Sequence, residues 1–139
     1  MNNLVEALLA ADAGKITAKA TEDFEVKRLS KLIGEPFILH LRKISPRRMT
    51  ELQENAVKYD SRGKVVGRDT YGMGLALLCD GITNKDFDNR EVLKHYGVAT
   101  RKELFELLFN VAEMGEISTH ISELCGIGVE EEQVDELKN

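Results

Sequence analysis

Between Asp23 and Leu52 an alternating apolar pattern runs straight into a helix opened by Ser45-Pro46, so the chain must pack strands against helices. Phe37, Leu39 and Leu41 alternate with Ile38, His40 and Arg42, the period of a half-buried strand. Phe24 and Val26 begin a shorter run of the same kind, with Leu29 out of step. Gly34 between the runs offers a turn position, and Pro36 fits only a strand's first residue or an edge. The pattern predicts a short β-hairpin, which is marginal alone and needs helices under its apolar face. Ser45 is a suitable N-cap and Pro46 a suitable first helical residue, because proline's missing N–H would have had no partner there. Met49, Leu52 and Ala56, with Val57 beside them, form the face expected to cover the hairpin.

The same stretch is basic. From Phe24 to Arg48, Lys27, Arg28, Lys31, Arg42, Lys43, Arg47 and Arg48 face only Glu25 and Glu35; seven less two leaves about +5. Such a surface suits an acidic partner or nucleic acid. It equally suits an exposed edge strand kept soluble by Lys and Arg. The whole chain, at −5 over 139 residues, argues against a dedicated nucleic-acid binder. Its length predicts one domain. The absence of an 18-residue apolar run argues against a membrane span. The first residues lack the basic segment of a signal peptide. Cys79 and Cys125 have no CxxC context, so reduced, buried thiols and a cytoplasmic protein are expected.

Further along, residues 3–11 read as a short amphipathic helix with Asn3 as cap, Glu6 three residues on, and a stripe of Leu4, Val5, Leu8 and Leu9. Gly14 is expected to stop it, and Lys15 to Glu22 to form a polar connector. The stripe either docks a partner or folds back on its own domain. Tyr59 to Thr70 reads as a loop; its Gly63-Lys64 has no phosphate-loop frame. From Tyr71, Leu75-Ala76-Leu77-Leu78-Cys79 predicts a central buried helix ending at Gly81, with Gly72 and Gly74 either weakening its first turn or admitting a close neighbour. Asp86 and Asp88 lack the glycine and closing glutamate of a calcium loop and are assigned to capping a helix from Arg90 to Tyr96 that ends at Gly97.

Thr100-Arg101-Lys102-Glu103 is a capping box opening a helix whose Leu104, Leu107, Leu108, Val111 and Ala112 form one apolar face. Gly115 interrupts that pattern, and Glu116 is expected to open a last helix with Ile117, Ile121 and Leu124 inward and His120 at the core or its boundary. Val129 to Asn139 carries five carboxylates against Lys138, about −4, and reads as solvated tail. The expected architecture is mainly helical α+β: an amphipathic arm over 1–20, a globular domain over 21–126 with a hairpin on about five helices, and an acidic disordered tail over 127–139.

Together with the basic stretch, a second set of motifs resembles one family. These are Leu77-Leu78-Cys79-Asp80-Gly81, Asp86-Phe87-Asp88, Val92 through Thr100, Met114-Gly115-Glu116-Ile117, and Leu124-Cys125-Gly126. In this order they resemble the XkdN-like tail assembly chaperones of contractile-tailed phages and phage-like elements. The chain departs from that pattern at Asn110 to Met114, where related sequences often place a proline or a tighter turn. The resemblance implies a protein that is no enzyme, takes no cofactor or metal, and does not bind nucleic acid or membrane. It implies binding of the tape measure protein in the bacterial cytoplasm until tail-tube protein polymerises, with no place in the mature tail. Self-association is also implied.

The residues assigned to partner binding are Leu4, Val5, Leu8, Leu9, Arg42, Arg47 and Arg48. Three rival readings stand beside this one. Val92 to Leu108 could be a DNA-binding helix-turn-helix, although Glu103 and Glu106 offset Arg101 and Lys102. The chain could be a tube or baseplate component, although such subunits are usually strand-rich and about six helices are counted here. An enzyme is the third, but His40, His95 and His120 show no nucleophile–base or metal-ligand spacing.

Overall fold

The computed structural model describes residues 3–127. The acidic tail expected from residue 127 onward therefore lies, from residue 128, outside the described residues. Two helices come first, α1 (Asn3–Ala10) and α2 (Ala13–Thr17), followed by β1 (Thr21–Glu25), α3 (Lys27–Ile33) and β2 (Ile38–Arg42). Next come α4 (Pro46–Asn55), β3 (Val57–Tyr59), β4 (Val65–Arg68) and α5 (Thr70–Gly81). A 3₁₀ turn (Lys85–Asp88), α6 (Arg90–His95), α7 (Arg101–Leu108) and α8 (Val111–Leu124) complete a mainly helical α+β fold.

Strands β1 and β2 pair antiparallel, with Phe24 opposite Leu39 and Asp23 opposite His40. Leu39 and Leu41 are buried while Ile38, His40 and Arg42 face out, as the alternation requires. The expected hairpin is corrected in one respect: a helix, not a turn, joins its strands. Val26, the N-cap of α3, and Leu29 within the helix both enter the core, which explains why Leu29 broke the strand pattern. Gly34 is the left-handed residue that ends α3 (φ 81°), its N–H donating to the Ser30 carbonyl. The outer edge of β2 is not left open. Ile82 bridges to Leu41, the Thr83 N–H donates to the His40 carbonyl at 2.8 Å, and the Asn84 side chain bonds both His40 N–H and Ile38 carbonyl. Residues 82–84 thus stand in for a third strand, and lysines are not what protects this edge.

Ser45 and Pro46 open α4 as expected, Ser45 Oγ accepting from the Arg48 N–H, and Met49, Leu52 and Ala56 are buried. The expected loop over 59–70 is instead largely a second hairpin, β3–β4. Its tip is set by Asp60, whose carboxylate accepts from the Arg62 and Lys64 N–H groups at 2.9 Å, and by Gly63 at φ 80°. Every residue of β4 is exposed, so no alternation of burial marked it in the sequence.

The core centres on α5, which packs on α4, α7 and α8. Leu75 and Leu78 meet Phe105, Leu104, Ile117 and Ile121, all essentially inaccessible to solvent. At the start of α5 the bare Cα of Gly72 admits the carboxylate of Asp69, which caps the helix. At its end Arg42 donates to the Asp80 carbonyl at 2.8 Å, and Arg101 to the carbonyls of Cys79, Ile82 and Asn84. Two arginines thereby satisfy carbonyls that a helix end leaves without partners.

Three further expectations are revised. The cap of α6 is Asn89, whose side chain accepts from Glu91 and Val92 N–H; Asp88 instead pairs with Arg101. The helix from Arg101 stops at Leu108, and α8 begins at Val111 and runs through Gly115, so Leu107 and Val111 are exposed rather than inward. The reciprocal capping box that drives this start is Asn110 with Glu113. Near the N-terminus, Gly14 lies inside α2, capped by Asp12, and the polar connector is part helix and part strand.

Gly81 and Gly74 give opposite expectations. A β-carbon at Gly81 would stand 2.5 Å from Cδ1, 2.8 Å from Cγ1 and 2.9 Å from Cγ2 of the buried Ile121. Gly81→Ala is expected to destabilise by about 1–3 kcal/mol through overpacking. Gly74 has open space around it, so Gly74→Ala should stabilise by about 0.5–1 kcal/mol. Urea unfolding of both variants checks the pair.

Candidate partner-binding surfaces

The N-terminal stripe lies on α1, in which no residue is buried. Leu4, Val5, Leu8 and Leu9 are all exposed, Leu9 to 81%, and Ile16 on α2 is exposed with them. At 3.6 residues per turn Leu4 and Leu8 share a face, with Val5 and Leu9 beside them. The helix therefore presents apolar area that its own domain leaves in solvent.

The basic residues divide into two groups. Arg28 forms a forked pair with Glu113 (Nη2–Oε1 2.7 Å, Nε–Oε2 3.0 Å) and donates to the Leu108 carbonyl, tying α3 to the start of α8. Arg48 pairs with Asp80 and, at 3.1 Å, with Glu51. Of the partner-binding residues assigned from sequence, Arg42 and Arg48 thus converge on Asp80 at the end of α5. Arg47 is exposed and has no ion pair among the described residues, as is true of Lys19 and Lys43 nearby. Lys19, Arg42, Lys43 and Arg48 line a small cavity of about 90 Å³ with Asp80. The structure brings the arginines together; no contact joins them to the α1 stripe among those described.

Reasoning from sequence missed a second apolar surface, the β3–β4 hairpin with Tyr59, Val65 and Val66 exposed. It also missed exposed Leu32 and Ile33 on α3. Val65-Val66 beside Gly63 was the available signal for the hairpin.

The histidines do not form one centre. His40 Nδ1 lies 2.7 Å from Asp23 and His120 Nδ1 2.8 Å from Glu22. Glu22 and Asp23 are neighbours on β1, so their side chains leave opposite faces of the sheet. His120 also stands edge-on to Phe24 at 4.9 Å, a boundary position as expected. Cys79 and Cys125 are free thiols, and burial pushes the Cys79 thiol up, away from the reactive thiolate. Among the described residues no group of His, Cys, Asp and Glu is gathered that could hold a metal ion. Nor is any helix there long and apolar enough to cross a membrane. The helix that a helix-turn-helix would use for reading, α7, turns Arg101 onto protein carbonyls and Asp88 and buries Leu104 and Phe105.

The described residues form a small α+β body that leaves apolar helical surface in solvent. The crystal structure of the protein YqbN is similar in fold: TM-score 0.55 at 15% sequence identity, over 84% of this chain and 97% of that one. No curated protein matches the chain. The family model described as phage XkdN-like tail assembly chaperone protein matches residues 5–138, and the chain belongs to that family. The family is non-enzymatic, and membership implies tail proteins as partners.

The Arg28–Glu113 pair makes stability pH-dependent. The Arg28 guanidinium, outweighing desolvation, holds the Glu113 carboxyl below the usual glutamate value. The pair's contribution is complete above the unfolded-state value, about 4.3, and is lost as pH falls through the lower folded-state one. Glu113→Gln keeps an oxygen to cap α8 but removes the charge. Urea midpoints should therefore fall more steeply on acidification for the parent than for Glu113→Gln; parallel curves would contradict the assignment.

Proposed function

We propose that this protein binds the tape measure protein in the bacterial cytoplasm, keeps it soluble until tail-tube subunits polymerise around it, and is then displaced. Family membership supports the tail-assembly setting, and the α1 stripe, none of it buried, is the observation that carries the binding mode. A tape measure protein is a long helical chain with apolar stripes of its own. Val5, Leu8 and Leu9, with Leu4 on the same helix, offer it a helix-on-helix contact. Burying one such side chain fully is worth roughly 1.5–3 kcal/mol before the ordering cost of association is subtracted. A few such contacts per chaperone, repeated along a long client, hold it firmly in sum yet let each copy leave separately.

Arg47, with the free donors of Arg42 and Arg48, extends the surface toward acidic stretches of the client. Charge there serves recognition and association rate more than affinity. The arm over 1–20 acts as the docking element and the body over 21–126 as its support. The chaperone is absent from the finished tail because the tube displaces it. Tail-tube protein is the second partner.

Leu8→Ser with Leu9→Ser in one chain provides the test. Both positions are exposed, so stability should change by no more than about 0.5 kcal/mol per site. On co-expression with the long coiled-coil tail protein of the same phage element, the parent chain should keep that client soluble and co-purify with it. The double variant should lose most of both effects. A client that stays equally soluble with the variant, or precipitates equally with the parent, contradicts the proposal.

A further inference from the structure

We infer that a second copy of this chain covers the β3–β4 hairpin, which docks through Tyr59, Val65 and Val66 on the Leu107–Val111 corner between α7 and α8 of that copy. The hairpin itself is the first observation. Among the described residues β3 and β4 pair only with each other, and a two-stranded ribbon is marginal by itself in water. Tyr59 stands opposite Val65, so the two share a face. With Val66 they are 59–62% exposed. Apolar side chains on a ribbon with open edges invite another chain.

The corner is the second. Leu107 is 62% exposed and Val111 88%, one on each side of the buried Phe109, where α7 gives way to α8.

Charge matches the two surfaces. Residues 57–68 hold Lys58, Arg62, Lys64 and Arg68 against Asp60; four less one leaves +3. The Asp60 carboxylate is turned onto N–H groups of its own tip. None of the four cations has an ion pair among the described residues. From Glu103 to Ile127 the chain carries five glutamates and, past Lys102, no lysine or arginine. Arg28 holds Glu113, whereas Glu103 and Glu106, within about one turn of Leu107, are exposed. Lys64 and Arg68 likewise bracket Val65-Val66. Each surface is an apolar centre with a charged rim, and the rims are of opposite sign.

Placement makes the occupant a second copy. Tyr71, three residues past β4, donates to the Glu106 carboxylate at 2.8 Å, so the root of the hairpin adjoins the acidic corner. Complementary surfaces side by side on one chain suit a two-fold axis. Each hairpin then lies on the other copy's corner, the contact is made twice, and the assembly closes. Helix α1 takes no part, so this contact and the client contact proposed above hold or fail separately.

Sedimentation equilibrium of the full chain, over a range of concentrations and with no client, tests the inference. The mass should rise from one chain to two and stop there. Lys64→Glu with Arg68→Glu should weaken pairing by more than about tenfold, and so should Glu103→Lys with Glu106→Lys. Mixed together, these two variants should pair again, since the reversed hairpin then meets the reversed corner; that recovery also shows both to be folded. Leu8→Ser with Leu9→Ser should leave pairing unchanged. A parent that remains a single chain at every concentration would overturn the inference, even if a client protects the hairpin. So would a dimer that survives both charge reversals, one lost only in the α1 variant, or a mass that grows beyond two chains.

Discussion

The close approach of α5 to α8, where the missing side chain of Gly81 makes room for Ile121, positions the rest of the body. With those helices in contact, Leu75 and Leu78 reach Ile117 and Phe105, and the end of α5 lies beside β2. Residues 82–84 then pair along β2 instead of leaving α5 as a loop. Arg42 and Arg101 occupy the carbonyls at this junction. Strand, helix end and following turn are therefore held by the same few groups, and a change in the α5–α8 spacing disturbs all of them.

Charge has two uses in this chain. Arg28, Arg48 and Arg101 tie elements to one another, each through a carboxylate and two of them also through backbone carbonyls. Lys19, Lys43 and Arg47 are left to solvent, as are Lys27 and Lys31 on α3. The surface is consequently less basic than the local sequence count implies. The apolar surface divides similarly. The inward faces of α5, α7 and α8 make the core, while α1 keeps its leucines outside. A chain built to fold alone would gain by burying them; one that shelters another chain needs them accessible.

What could be read from sequence follows the distance over which each signal acts. Ser45-Pro46, Thr100, the alternation through Leu39 and Leu41, and the apolar run at Leu75 are local, and each led to the right element. The α1 stripe was legible for the same reason. Helix α3 was hidden because seven residues followed by Gly34 fit a helix with a left-handed cap as well as a turn. Helix α8 was cut short because Gly115 costs about 1 kcal/mol relative to alanine in a helix. The Asn110–Glu113 capping box and the Ile117–Ile121 burial outweigh that cost. Arg28 with Glu113 and Arg42 with Asp80 lie far apart in the chain, so no local pattern announces them. Their pairing decides which cations are tied up in ion pairs, and that part of the proposed binding surface required the fold.

The central claim is that α1 and the free cations near residues 42–48 are where the client lies. Hydrogen exchange on the purified complex with the tape measure protein, compared with the chaperone alone, tests it most directly. The account predicts new protection over residues 3–17 and 42–48, with the amides of α5 and α8 unchanged. Protection restricted to the β3–β4 hairpin, or an arm that exchanges equally fast in both samples, would contradict it.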